Sequence, residues 1–215
     1  GHPLTQYLPV LEKYQLNSVK TLTEMEDKAQ TRIGGIISDV TKRITKTSKK
    51  MMAILHLEDL DGTVEILVFN EAYERYADIL QVGFPAMICG TISRREDTPK
   101  IVATEIYHIE DVPKLFTKRI GIHIPANSVG SGSLDKVNDI LRTHPGKIPV
   151  TICMVFASGE KVFIETGDDF MVDPQKALTE ELEHILGEES VYVAVDPKAC
   201  LKSPSEQSYR RTNFS

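Results

Sequence analysis

Residues 51–69 read MMAILHLEDLDGTVEILVF, and this stretch limits the possible fold more than any other. Ala53, Leu55 and Leu57 alternate with Ile54, His56 and Glu58, the period of a strand with one buried face. Val64, Ile66 and Val68 repeat the pattern. Between them DLDG, residues 59–62, carries the Asp-Gly pair that favours a tight reversal. A two-stranded hairpin is marginal in water, so its apolar side requires further strands.

The flanks supply them. Upstream, Ile33, Ile36, Ile37 and Val40 bracket Gly34-Gly35, and a glycine pair inside a strand predicts a bulge or sharp bend. The basic stretch that follows, residues 42–50, reads as a loop. Downstream, NEAYERYADIL predicts a helix capped by Asn70 and ended by Gly83. Its apolar face is Tyr73, Ala77 and Leu80, with Tyr76 beside them. FPAMICGTIS and KIVATEIYHI are two more strands around the charged turn RREDTP. Three strands, a helix and two strands is the order of an OB-fold, a five-stranded barrel, here over residues 29–111. Residues 1–28 form a helical lead-in, with Tyr7, Leu8, Leu11 and Tyr14 at helical spacing, and a polar linker, TLTEMEDKAQ.

A second unit spans residues 117–196, after the short link EDVPKLFT. RIGIHI is a strand. SLDKVNDILRTH is a helix with Ser133 as N-cap and Leu134, Val137, Ile140 and Leu141 on one face. IPVTICMVF and KVFIET form a hairpin around ASGE. Residues 174–186 form a helix begun by Asp173, with Pro174 in its first position, and VYVAV is a last strand. This βαββαβ order predicts a ferredoxin-like arrangement. The fold class is thus mixed β and α+β. Residues 197–215 have little to bury and read as a disordered tail.

Composition narrows the function. The 25 basic residues against 31 acidic ones, net −6, exclude coating of nucleic acid by bulk charge, so any grip is local. No apolar run reaches the roughly 18–20 residues of a membrane span, and the start has no signal-peptide pattern. The three cysteines lie far apart without a C-x-x-C, which excludes a zinc ribbon, and a cytoplasmic setting fits. The chain opens on Gly rather than Met and reads as a piece of a longer protein, with a tag remnant at Gly1-His2 as the alternative.

No catalytic motif stands out, and no catalytic, metal or cofactor site is expected. The six histidines are scattered without metal spacing. Asp59 and Asp61 have the spacing of a metal-binding pair. They also sit at a hairpin tip before Gly62, where Asp serves the turn through its own backbone bonds, and the turn is the favoured reading. Asp168-Asp169 reads as a loop before a helix, and NSVGSGS, residues 127–133, as a flexible loop.

The basic residues are more specific. In an OB-fold, the loop between strands one and two and the loop between strands four and five flank the binding face. Lys42, Arg43, Lys46, Lys49 and Lys50 fall in the first, and Arg94, Arg95 and Lys100 around the second. Two basic patches are expected to meet at one rim, the second weakened by Glu96 and Asp97, with a solvated charged loop as the alternative. The outward face of strands two and three adds His56 and Phe69, with Met52 and Ile54, for contact with bases.

The lead GHPLTQYLPVLEKY and the segment IGGIISDVTKRITKTSKKMMAILHLEDLDGTVEILVFNEAYERY resemble the C-terminal region of the bacterial DNA polymerase III alpha subunit. The similarity runs on through KIVATEIYHIED, RIGIHI and GKIPVTI to about Val195. It implies that the polymerase carboxylates lie outside this chain and that Asp59-Leu60-Asp61 is a barrel turn. It implies a barrel on single-stranded template DNA and a last unit on the clamp-loader tau subunit, beside the rest of the alpha subunit. Ser48 stands where the family loop usually has Gly, and Ile54 where it often has an aromatic. Two rival readings are a tRNA-binding OB domain of an aminoacyl-tRNA synthetase and a protein adaptor without nucleic-acid binding.

Overall fold

A computed structural model describes residues 2–14 and 16–196; the expected tail, residues 197–215, lies outside the described residues. They divide into two compact units, one ending at Val112 and one spanning Pro113–Asp196. Among the described residues no helix is long and apolar enough to cross a membrane.

The first unit is a closed barrel of strand order β1-β2-β3-β5-β4. Its strands are β1 (Gln30–Ile44), β2 (Met51–Glu58), β3 (Thr63–Val68), β4 (Pro85–Ser93) and β5 (Lys100–His108). Closure requires one strand to serve two neighbours. Residues 30–36 of β1 pair with β4 and residues 36–44 pair with β2. The bulge falls between Ile37 and Asp39, after the glycine pair rather than on it. The glycines instead permit close approach: a Cβ on Gly35 would lie 2.7 Å from the Glu58 carbonyl oxygen, and one on Gly34 would strike Leu11. Alternation in β2 and β3 holds, with Ala53, Leu55, Leu57, Ile66 and Val68 fully buried. Met52, expected to point outward, is buried as well. The parallel pairing of β3 with β5 closes the barrel.

Before the barrel come a 3-10 turn (Pro3–Tyr7) and the helices α1 (Leu8–Lys13) and α2 (Val19–Leu22). Part of the expected polar linker is thus a helix, and Leu22 is buried in the barrel core. Helix α3 (Asn70–Tyr76) fills the place between β3 and β4. Phe69, not Asn70, occupies its N-cap position. Asn70 starts the helix at φ 36°, and its Oδ1 is buried with no hydrogen-bond partner among the described residues. Tyr73 and Tyr76 pack on the core, and Tyr76 meets Tyr107 edge-on, ring centroids 6.4 Å apart. Burial, then the neighbouring Glu105 carboxylate, pushes the Tyr107 phenol well above its usual pKa.

The second unit begins in the first turn of α4 (Val112–Phe116) and contains β6 (Thr117–Pro125), α5 (Ser133–Thr143), β7 (Pro145–Ile148), β8 (Val150–Val155), β9 (Lys161–Glu165), α6 (Lys176–Leu186) and β10 (Val191–Val195). Val137, Leu141, Leu178 and Leu182 of the two longer helices pack with Ile120, Ile122, Ile124 and Val150 of the sheet. The sheet order is β10-β6-β8-β9, with β6 and β8 adjacent and parallel. A ferredoxin-like split βαβ would place another strand between them. The expected helices and strands are present, with the short β7 added outside the four-stranded sheet, but the sheet order is not ferredoxin-like: β6 and β8 are direct neighbours. Two caps also differ. Gly132, at φ 79°, takes the N-cap position of α5 in place of Ser133. Helix α6 starts at Lys176 after Gln175, because the Asp173 N–H is held by the His144 carbonyl and Asp173 Oδ2 accepts from Gln175 Nε2.

Candidate nucleic-acid interface

The basic stretch is only partly a loop. Lys42 and Arg43 lie on β1, opposite Ala53 and Met52. Adjacent strand residues point to opposite faces, so Arg43 shares the outer face with Thr41 and Asp39 while Lys42 does not. Charge suggested a loop, but these side chains are exposed near the strand end and cost the pairing nothing. The reversal proper is closed by Thr45. Its N–H donates to the Lys50 carbonyl at 2.9 Å, and its hydroxyl lies 2.5 Å from Ser48 Oγ. Lys49 adopts φ 55° within it. Lys46, Lys49 and Lys50 are exposed at this tip. Among the described residues, none of the five cations is ion-paired. Ile44 and Met51, paired across the strands beneath the tip, are 64% and 39% exposed. The sequence reading missed this apolar pair. Two hydrophobic residues flanking a six-residue basic tip were its signal.

The second patch is rearranged. Arg94 is a clamp on the lead-in: Nε donates to the Met25 carbonyl at 2.7 Å and Nη2 to the Leu22 and Thr23 carbonyls at 3.3 and 2.5 Å. These carbonyls lie at and beyond the C-terminal end of α2, where helical partners run out. Arg94 is therefore committed to structure and is not available to a phosphate. Lys100 lies between Glu96 and Glu65 at 2.8 and 2.9 Å, and these two contacts, Glu96 first, hold its ammonium above the usual pKa. His56 faces Asp39 at 3.7 Å and Glu65 at 3.9 Å, so its surroundings are acidic. Of the second group only Arg95 stands exposed without an ion pair among the described residues. The two basic patches do not meet as equals.

Phe69 joins what remains. It is half-buried just after β3, where two open grooves adjoin. One, of about 460 Å³, is lined by Lys28, Leu67, Phe69, Arg95, Lys100 and Val102 among others. The other, of about 310 Å³, is lined by Lys50, Phe69, Asn70, Arg75 and Thr104 among others. Lys28 and Arg75 were not anticipated. Arg75 is carried there by α3, which begins directly after Phe69, and Lys28 by the hydrogen bond from its N–H to the Ile92 carbonyl of β4 at 2.8 Å.

Asp59 serves the turn and the lead-in. Its carboxylate accepts from the N–H groups of Asp61 and Gly62 at 2.8 and 3.0 Å and of Val19 at 2.6 Å. Asp59 is buried while Asp61 is exposed, so the two do not converge on a shared cavity. Among the described residues no three His, Cys, Asp or Glu side chains gather into a cluster able to hold a metal ion.

Residues 31–109 match the family model described as an OB-fold nucleic acid binding domain of the tRNA anti-codon type. The barrel is an OB-fold domain. The chain is 30% identical over 194 residues to the DNA polymerase III subunit alpha of Saccharopolyspora erythraea, covering 87% of this chain and 16% of that protein. It is 24% identical over 200 residues to the alpha subunit of Escherichia coli O6:H1, covering 91% and 17%. It is thus homologous to part of the alpha subunit and spans about a sixth of the length of these relatives. Among solved structures it is similar to the mitochondrial single-stranded DNA binding protein Rim1 of S. cerevisiae, with a TM-score of 0.32, 20% identity and coverage of 39% of this chain and 96% of that one.

Proposed function

We propose that this chain is a non-catalytic, C-terminal part of a cytoplasmic bacterial replicative polymerase, and that its barrel holds single-stranded template DNA. The strand runs from the β1–β2 tip, over Phe69, toward Arg95. Arg43, Lys46, Lys49, Lys50 and Arg95 neutralise phosphates, and Phe69 offers a face to a base. The observation that carries this reading is the meeting of two grooves at Phe69, with Lys50 in one and Arg95 in the other. His56 contributes little, because two carboxylates stand beside it. In this reading the second unit docks another replicase subunit, the clamp-loader tau subunit. Its support is the similarity to alpha subunits, which extends over most of the chain.

A second reading, tRNA binding, is favoured by the anti-codon type of the matching family model. The two are separated by fluorescence anisotropy with labelled single-stranded DNA, duplex DNA and tRNA. The template reading expects single-stranded DNA to bind tighter than either competitor by about tenfold, the equivalent of one stacked base at ~1–3 kcal/mol. A preference for tRNA would replace it with the second reading.

A further inference from the structure

Strand β9 is the last strand of its sheet among the described residues, hydrogen-bonded on one side only, to β8. It reads KVFIE. All five residues are exposed, and Val162, Phe163 and Ile164 keep 41%, 62% and 43% of their surface. Edges of sheets are ordinarily blunted by a bulge, a proline or inward charges, because open N–H and C=O groups recruit another strand. No bulge or proline interrupts it, since the register from Thr151↔Glu165 to Val155↔Lys161 is unbroken, and its two charges, Lys161 and Glu165, stand only at its ends. At the opposite edge β10 is half-buried or buried along its length.

The open edge is complementary to itself. The Thr166 N–H donates to the Val150 carbonyl and the Phe156 N–H to the Glu160 carbonyl. Antiparallel strands alternate bonded and non-bonded pairs, so residues 162 and 164 turn their backbone groups toward β8 and Lys161, Phe163 and Glu165 turn theirs away. An antiparallel copy of the same strand, centred on Phe163, satisfies every one of these outward groups. Phe163 then faces Phe163 of the second copy, and Val162 faces Ile164. Lys161 faces Glu165, at both ends. The charges that would repel an unrelated strand attract this one.

We propose that β9 pairs with β9 of a second copy of this chain, joining two four-stranded sheets across a two-fold axis at Phe163. Glu165, 2.8 Å from Arg119 of its own chain, gains Lys161 of the second copy as another partner. The pairing is isologous, as a two-fold requires. One short strand makes a small interface, so association is weak and concentration-dependent. The pairing uses residues 161–165 and none of the residues that line the barrel's grooves.

Sedimentation equilibrium of the chain from micromolar to millimolar concentration tests it. The expected result is a mass that rises from one chain toward two. Phe163→Glu and Phe163→Lys each oppose like charges at the axis, and each should raise the dissociation constant by about tenfold or more. Mixed in equal amounts, the two variants should form a heterodimer. Lys161→Glu, which sets carboxylates against Glu165, should repeat the loss. Because these side chains are exposed in the monomer, circular dichroism should be unchanged. A wild-type chain that stays monomeric throughout would overturn the proposal, as would dimers indifferent to both substitutions or variants that fail to associate when mixed.

Discussion

Phe69→Ala should weaken binding of single-stranded DNA by about tenfold to a hundredfold, the ~1–3 kcal/mol that a base stacked on an aromatic ring contributes. Phe69 is the one aromatic side chain that lines both grooves. Truncation leaves Lys50 and Arg95 in place but removes the surface between them, so electrostatic attraction survives and stacking does not. Phe69→Tyr should restore most of the affinity, since the ring is kept. Arg94→Ala should do the opposite. Loss of the hydrogen bonds from its guanidinium to Leu22, Thr23 and Met25 should cost about 2 kcal/mol of stability, with DNA affinity of the folded protein unchanged. Paired anisotropy and thermal melts of the two variants separate binding from scaffolding. If Arg94→Ala lost affinity and Phe69→Ala did not, the strand would follow another path.

Asp59→Ala should be the most destabilising single change at the hairpin tip, by about 2–4 kcal/mol. The carboxylate satisfies the backbone N–H groups of Val19, Asp61 and Gly62. Alanine leaves all three donors without their acceptor, in a place where Asp59 itself is buried. The change loosens the lead-in as well as the turn, since Val19 belongs to α2. Asp61→Ala, at an exposed position, should shift stability by no more than about 0.5 kcal/mol. Urea denaturation of both variants measures the contrast. Equal, small effects would mean that the turn stands without the Asp59 carboxylate.

What the sequence disclosed was local. The β2–β3 hairpin was legible because period-two alternation and an Asp-Gly reversal lie within nineteen consecutive residues. The barrel followed from the order of its elements. The site was legible only in its first half. Lys46, Lys49 and Lys50 are neighbours in the chain and share a tip. The second half depends on contacts that local pattern cannot express. Arg94 reaches carbonyls 69 to 72 residues earlier. Lys100 meets Glu65 because β5 lies near β3, a parallel pairing that no turn residue announces. In the second unit the kinds of element were readable from periodicity, while the adjacency of β6 and β8 was not, since a crossover helix fits either sheet order. The caps at Gly132 and Gln175 illustrate a finer limit: Ser133 and Asp173 have the right chemistry, but other hydrogen bonds had claimed them.

The central claim is that a few exposed cations on one rim grip a single strand, and the salt dependence of binding tests it most directly. For about five phosphate contacts, log affinity for single-stranded DNA should fall against log salt with a slope of roughly −3 to −4, at about −0.7 per contact. Lys46→Glu, Lys49→Glu and Lys50→Glu together should flatten that slope by about 2 on the same scale. A slope near zero, or one that the triple variant leaves unchanged, would contradict the account and make the basic tip a solvated surface.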